Sequence, residues 1–235
     1  MLRAKLFALL LVAALPAPAL AQAYQCAAPE RVKLPPPPKQ DGPTRRVAVG
    51  GFTLAASWSP EYCRGNRAAD DSLQCSGRSG RFGFVLHGLW PEAVFGPPPQ
   101  WCSLSPRPSP ESLRQNLCMS PSPSLLEHEW AKHGSCAAKT PEAYFRMSRT
   151  AWQSLVWPDV DRLSRKEGLI AGDLRQAFLA ANPGWRTDAV GVIIANRGWL
   201  RELRLCYDRG FKPAPCSSFQ RGVRDGKAIK IWRGL

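Results

Sequence analysis

The sequence predicts an α+β fold: a central, mainly antiparallel β-sheet packed with several helices in a disulfide-stapled single domain. Strand-like and helix-like stretches alternate without the regular βαβ rhythm of a parallel sheet. Eight cysteines stand in the 235 residues, none paired as C-x-x-C, which favours structural bridges over zinc ligands. Once a leader is removed, the length suits one domain with a sizeable core, or at most two small ones.

Arg3 and Lys5 precede an apolar run from Leu6 to Leu15 and a small-residue ending, Ala19-Leu20-Ala21. This is the pattern of a signal peptide over residues 1–21, cleaved after Ala21. The run is too short to span a bilayer, and nothing later is long and apolar enough. A soluble, exported protein without membrane insertion is expected, periplasmic or secreted and monomeric. An oxidising compartment also suits the cysteines. Next comes "PERVKLPPPPKQDGPTRR" (29–46), rich in proline and charge and expected to be extended and solvated. Residues 22–46 therefore read as a proline-rich basic N-terminal tail and 47–235 as the folded domain.

"GFTLAASW" (51–58) reads as a first strand, followed by a disulfide-sized loop from Cys63 to Cys75. "GRFGFVLHGLWP" (80–91) reads as a second strand that stops at Gly88 and Pro91, with His87 near its end. The Pro/Ser-rich stretch from Pro97 to Pro123 is expected to be irregular, tied down by Cys102 and Cys118. Ser124 followed by Glu127 fits a capping box, and Gly134 can close the far end, which predicts a short helix over 125–133. Thr140, Pro141 and Glu142 open a second helix reaching about Val156. Another helix is expected near 172–181, ahead of Asn182-Pro183. "AVGVIIA" and "WLRELRLCY", separated by Asn196-Arg197-Gly198, read as a β-hairpin. No internal repeat is visible.

Lys and Arg total 32 against 18 acidic residues, a formal net charge of +14. Such an excess suits a polyanionic partner such as nucleic acid, an anionic lipid surface or acidic polysaccharide, or simply a basic exported protein.

"HEWAKHGSC" (128–136) holds two of the three histidines, a glutamate and a lysine within six positions. On an α-helix, Lys132 lies about 40° around from His128, Glu129 about 100° and His133 about 140°, so one broad face carries all four. Glu129 and His133 are an i, i+4 pair in which the carboxylate can orient the imidazole and favour its protonated form. Trp130 and Leu126 flank the arc and can anchor it. A solvated charged face is the plain alternative. The stretch resembles the zinc-protease H-E-x-x-H only superficially, because histidines five apart point about 140° apart and cannot easily share an ion. No metal and no cofactor are expected. The third histidine, His87, sits in apolar "FVLHGLW", where an unpaired ring is unfavourable. Two imidazoles from separate elements can divide acid and base work near neutral pH. With a lysine and a further imidazole to hold phosphate, the set suits cleavage of a phosphodiester by its own neighbouring hydroxyl, which RNA has and DNA lacks.

"FVLHGLWPE" (84–92) and "HEWAKHGSC" (128–136) resemble the two signature segments of the ribonuclease T2 family, secreted endoribonucleases often most active in acid. Weaker similarity runs from "LAASWSPEYC" (54–63) to "ELRLCYD" (202–208). The resemblance implies that 47–235 is a ribonuclease catalytic domain acting on single-stranded RNA without metal, giving a 2′,3′-cyclic phosphate and then a 3′-phosphate. It implies His87 as general acid and His133 as general base, Glu129 and Lys132 as stabilisers of the phosphorane, and His128 as a phosphate ligand. Trp90 and Glu92 match positions that contact the base in some members, and Phe95 or Trp101 could supply a further stacking ring. Where relatives often carry an aromatic at the second base, this chain has Leu125 and Leu126. Ser135 stands where threonine is more usual, with no catalytic effect expected. The resemblance favours a Cys102–Cys136 disulfide, with Cys206–Cys216 closing the final hairpin region, Cys63–Cys75 an early loop, and Cys26–Cys118 as the remaining pair.

Overall fold

The computed structural model describes residues 23, 24, 26–66 and 72–234, so the leader expected over 1–21 lies outside the described residues. In chain order the elements are β1 (Ala23–Tyr24), β2 (Val49–Trp58), α1 (Ser59–Gly65), β3 (Arg81–Phe82), β4 (Phe84–Ala93), α2 (Pro110–Arg114) and α3 (Pro123–Glu129). A π-helical turn (Trp130–Gly134) leads into α4 (Ser135–Ala137), then α5 (Pro141–Gln153), α6 (Val160–Leu163), α7 (Ala171–Ala181), β5 (Val190–Ile194), β6 (Leu200–Asp208) and α8 (Ser218–Arg221). Four strands form one sheet in the order β4-β2-β6-β5, and every neighbouring pair is antiparallel.

Alternation along the strands divides the two faces of this sheet. Phe52, Leu54, Ala56 and Trp58 of β2 join Phe84, Leu86 and Leu89 of β4 and Leu203 and Leu205 of β6 in the core, covered by Tyr144, Phe145, Trp152 and Phe178 from the helices. The other face carries Thr53 and Ser57 of β2, which hydrogen-bond to acidic side chains of β4 and β6. Four disulfides join Cys26 to Cys118, Cys63 to Cys75, Cys102 to Cys136 and Cys206 to Cys216.

Several elements depart from the sequence expectation. β4 does not stop at Gly88 or Pro91 but runs on to Ala93. It is an edge strand, where a residue without an N–H is tolerated. Its pairing with β2 shifts register between Ala55/Gly88 and Ala56/Leu86, which leaves His87 as the extra residue of a β-bulge in mid-strand. On the edge side, the Leu86 N–H donates to the Met119 carbonyl (2.8 Å). The helix predicted over 125–133 is capped by Ser122, whose Oγ accepts from the Leu125 N–H (3.2 Å), rather than by Ser124. Glu127 is instead buried and paired with Arg107. Gly134 does not end the helix, which widens into the π turn and continues to Ala137. Its lack of a side chain matters for packing, since a Cβ there would lie 2.6 Å from the Tyr144 ring. The next helix is capped by Thr140 as predicted and stops at Gln153. The supposedly irregular stretch 97–123 includes α2, capped by Ser109.

The proline-rich segment 29–46 is extended but docked rather than solvated. Val32, Pro35 and Pro38 are half-buried between exposed neighbours, the three-residue repeat of a polyproline helix with one edge against the protein. Arg107 Nη2 donates to the Pro35 carbonyl (2.5 Å), Gln100 Nε2 to the Pro43 carbonyl (2.8 Å) and Arg46 Nη2 to the Cys102 carbonyl (2.9 Å). Arg45 pairs with Gln100 through the backbone in both directions.

Candidate active site

The bulge in β4 and the π turn after α3 set His87, Trp90, Glu129 and His133 around one point. Bulges re-aim a side chain, and π turns shift the phase of a helix. The Trp90 ring centre lies 5.1 Å from that of His87 and 5.5 Å from that of His133, so both imidazoles pack against one indole. Trp90 Nε1–H donates to Glu129 Oε2 (2.7 Å), and Glu129 Oε1 lies 3.6 Å from His87 Nε2. A Cβ on Gly88 would stand 2.0 Å from Glu129 Oε2 and 2.6 Å from Trp90 Nε1, so only glycine admits this approach of helix to strand. Tyr144 fixes the same junction: its hydroxyl accepts from the Leu89 N–H and donates to the Leu89 carbonyl, both at 3.2 Å.

The predicted pairing of Glu129 with His133 is not formed. The carboxylate is taken up by Trp90 and His87, and His133 Nδ1 is buried without a hydrogen-bond partner. Burial, followed by the positive charge of Lys132, pushes the His133 pKa down to about 3, so the ring stays neutral rather than becoming protonated. Burial also acts against charge on His87, but the Glu202 hydrogen bond and the Glu129 and Glu202 charges outweigh it and raise its pKa above the ordinary value. Burial pushes the Glu129 carboxyl up to about 7 despite His87 and the Trp90 hydrogen bond. The two imidazoles therefore hold opposite protonation states over a broad acidic range.

Lys132 and His128 lie on the side of the helix facing the proline-rich segment. Lys132 Nζ donates to Asp41 Oδ2 (2.7 Å), and the Trp101 indole N–H donates to Asp41 Oδ1 (3.0 Å). The Trp101 and His128 rings meet edge to face at 5.4 Å. Burial and then the Lys132 charge lower the His128 pKa. Trp101, expected as a possible stacking ring, is only 2% exposed and serves as a wall for His128 instead. Phe95 is 89% exposed on the rim of a groove of about 770 Å³ that Thr53, Glu92, Phe219 and Gln220 also line. In that groove Glu92 Oε1 accepts from Thr53 Oγ1 (2.7 Å) and Gln220 Nε2 (2.6 Å). A second cleft of about 460 Å³ opens on the His87 side between Ser57, Tyr62, Arg201 and Glu202. Leu126 is buried in the core, and Ser135 Oγ donates to the Ala131 carbonyl (2.8 Å) within the helix.

Sequence reading missed Glu202, Arg204, Gln220 and Asp41. Glu202 Oε2 is 2.9 Å from His87 Nδ1, and Arg204 Nε donates to Glu202 Oε1 (2.8 Å) while Nη1 donates to Gln220 Oε1 (2.9 Å). The hydrogen bond from His87 and the Arg204 charge hold the Glu202 carboxyl down at about 2 in spite of its burial. A signal was available: Glu202 and Arg204 alternate with Leu203 and Leu205 in a central strand, where charged residues need a partner. Among the described residues, no group of three or more His, Cys, Asp or Glu is arranged to hold a metal ion, and no helix is long and apolar enough to cross a membrane.

The chain is similar to proteins already described. A "probable ribonuclease" of Haemophilus influenzae is 31% identical over 188 residues, 75% of this chain, which spans 64% of that relative's length. A "ribonuclease" of Aeromonas hydrophila is 32% identical over 176 residues, covering 71% of this chain and 75% of the relative. Among solved structures, trichomaglin, described as an S-like ribonuclease, shares the fold with a TM-score of 0.58 at 23% identity, covering 72% of this chain and 92% of its own. RNase NT in complex with 5′-AMP does so with a TM-score of 0.57 at 19% identity, over 78% and 98% of the two chains. Residues 49–176 match the profile of the Ribonuclease T2 family, and the chain belongs to that family.

Proposed function

We propose that this protein is a metal-independent endoribonuclease that cleaves single-stranded RNA by attack of a 2′-hydroxyl on the adjacent phosphorus. The products are a 5′-hydroxyl and a 2′,3′-cyclic phosphate, which the enzyme then opens with water to a 3′-phosphate. The observation that carries this reading is the pair of imidazoles packed against the same indole, Trp90, with pKa values displaced in opposite directions. Groups pushed apart in this way define an acid and a base.

His133, neutral, takes the 2′-hydroxyl proton. His87, with Nδ1 committed to Glu202, donates from Nε2 to the departing 5′-oxygen. Lys132 and His128 hold non-bridging phosphate oxygens, and Glu129, protonated below about pH 7, donates a hydrogen bond to the developing phosphorane. The base 5′ to the scissile bond lies in the groove of Glu92 and Phe95 beside Trp90, and the departing nucleoside lies in the cleft beside His87 and Tyr62. Export through the leader over 1–21 would place the protein in the periplasm or outside the cell, which suits the four disulfides.

The test is digestion of a defined oligoribonucleotide and its 2′-deoxy counterpart with chelator present. RNA cleavage with cyclic-phosphate ends, an intact DNA strand, and loss of activity in folded His87→Phe and His133→Phe variants are expected. Cleavage of both strands, or full activity in either variant, would overturn the reading.

A further inference from the structure

We propose that Asp41 is a positioning residue for the phosphate end of the site, clamping the Lys132 ammonium and the Trp101 indole in place beside His128. The inference rests on the reading of Lys132 and His128 as phosphate-holding groups. Asp41 lies outside the family-matched span of residues 49–176 and belongs to the docked proline-rich segment, so the group reaches the site from the N-terminal region.

Both carboxylate oxygens are engaged. Oδ2 accepts from Lys132 Nζ at 2.7 Å and Oδ1 from the Trp101 indole N–H at 3.0 Å. The hydrogen bond from Lys132 holds the Asp41 carboxyl below its usual range, which favours its ionised form. Trp101 is itself fixed. Its φ of 55° is a left-handed conformation that a bulky residue rarely adopts, and its backbone N–H donates to the Lys132 carbonyl at 2.7 Å. Such strain persists only where surrounding structure enforces it, and here it turns the indole between Asp41 and the His128 ring.

The side chain of Asp41 is 49% exposed, so the ion pair contributes little to stability. Its effect lies in where it puts the charge. A free lysine moves on a flexible four-carbon stem, whereas a preorganised cation stabilises developing phosphoryl charge without reorganising during reaction. An ammonium has three donors, so one bond to Asp41 leaves two for phosphate. The segment holds Asp41 in place through the Arg45–Gln100 backbone pair and the Gln100 bond to Pro43.

The experiment is a double-mutant cycle on the full exported chain, with Asp41→Asn, Lys132→Met and the double variant assayed on an oligoribonucleotide. Thermal unfolding of each verifies the fold. Asp41→Asn should lower kcat by about tenfold with a smaller change in KM, the size typical of a supporting partner. In the Lys132→Met background the same substitution should have no further effect, because asparagine still offers Oδ1 to the Trp101 indole. Wild-type or higher activity for Asp41→Asn would overturn the proposal, showing the carboxylate to be idle or in competition with substrate. An equal loss persisting without Lys132 would overturn it in favour of a purely structural segment. Full activity of Lys132→Met would instead remove the phosphate-site reading beneath it.

Discussion

Nδ1 of His87 lies 2.9 Å from Oε2 of Glu202, which reaches across β2 from the strand on its far side. The bond fixes the imidazole and leaves Nε2 facing Glu129. Arg204, on the same strand, keeps the carboxylate ionised.

Glu202→Gln should therefore move the alkaline limb of the pH–rate profile. An acid must be protonated to act, and Glu202 raises the His87 pKa, so its neutralisation lets His87 lose its proton at lower pH. We expect a loss of about tenfold at pH 7 that shrinks toward pH 5. A uniform loss at all pH values would argue that Glu202 only supports the fold. The acid limb, set by His133 at about 3, should stay in place.

Glu129 should cost stability at neutral pH. Its pKa rises to about 7 on folding from an ordinary value of 4.5, so between these the folded state binds more protons and stability falls as pH rises. Glu129→Gln should raise Tm most above pH 7 and least near pH 4, with a gain on the order of 1–3 kcal/mol at the alkaline end, while activity collapses. A gain that did not change with pH would contradict the linkage.

Gly88→Ala adds one methyl group where Glu129 Oε2 and Trp90 Nε1 already stand. Either side chain must shift, which separates the strand from the helix beside His87. We expect kcat/KM to fall by about a hundredfold or more, because displacements of about an ångström suffice for such losses. Circular dichroism should show the sheet retained.

Glu92 shares its Oε1 between Thr53 and Gln220 in the groove that Phe95 also lines. Glu92→Gln should change the ratio of cleavage rates among dinucleotides with different 5′ bases by about tenfold, with a smaller effect on the fastest substrate. Product analysis on the full set of ribodinucleotides would measure it. An unchanged ratio would remove Glu92 from base discrimination.

The sheet and its hairpin were legible in the sequence because apolar alternation and the Asn196-Arg197-Gly198 turn are local signals, and β5 and β6 lie where these place them. The histidine-rich helix was legible in position but not in shape. Its π turn depends on Tyr144 packing onto Gly134 and on a Lys132 carbonyl that accepts from Trp101, contacts no helical wheel contains. The wheel consequently assigned Glu129 to His133, whereas the carboxylate meets His87 and Trp90. His87 looked like a strand terminus because Gly88 and Pro91 are breakers in isolation. An edge position excuses the proline, and close approach to Glu129 requires the glycine. Asp41 escaped notice for a compositional reason, since proline and charge mark solvated chain in general and say nothing of a complementary surface.

The outer side of β4 has a further bearing on how molecules of this protein meet. Bare strand edges invite another chain to add its own strand and nucleate fibres. Here Pro91 offers no N–H, Leu86 spends its own on Met119, and the bulge at His87 breaks the repeat a recruited strand would need. Crowding at high concentration should thus find no template along β4, so the bulge that sets His87 in place also resists self-templated aggregation.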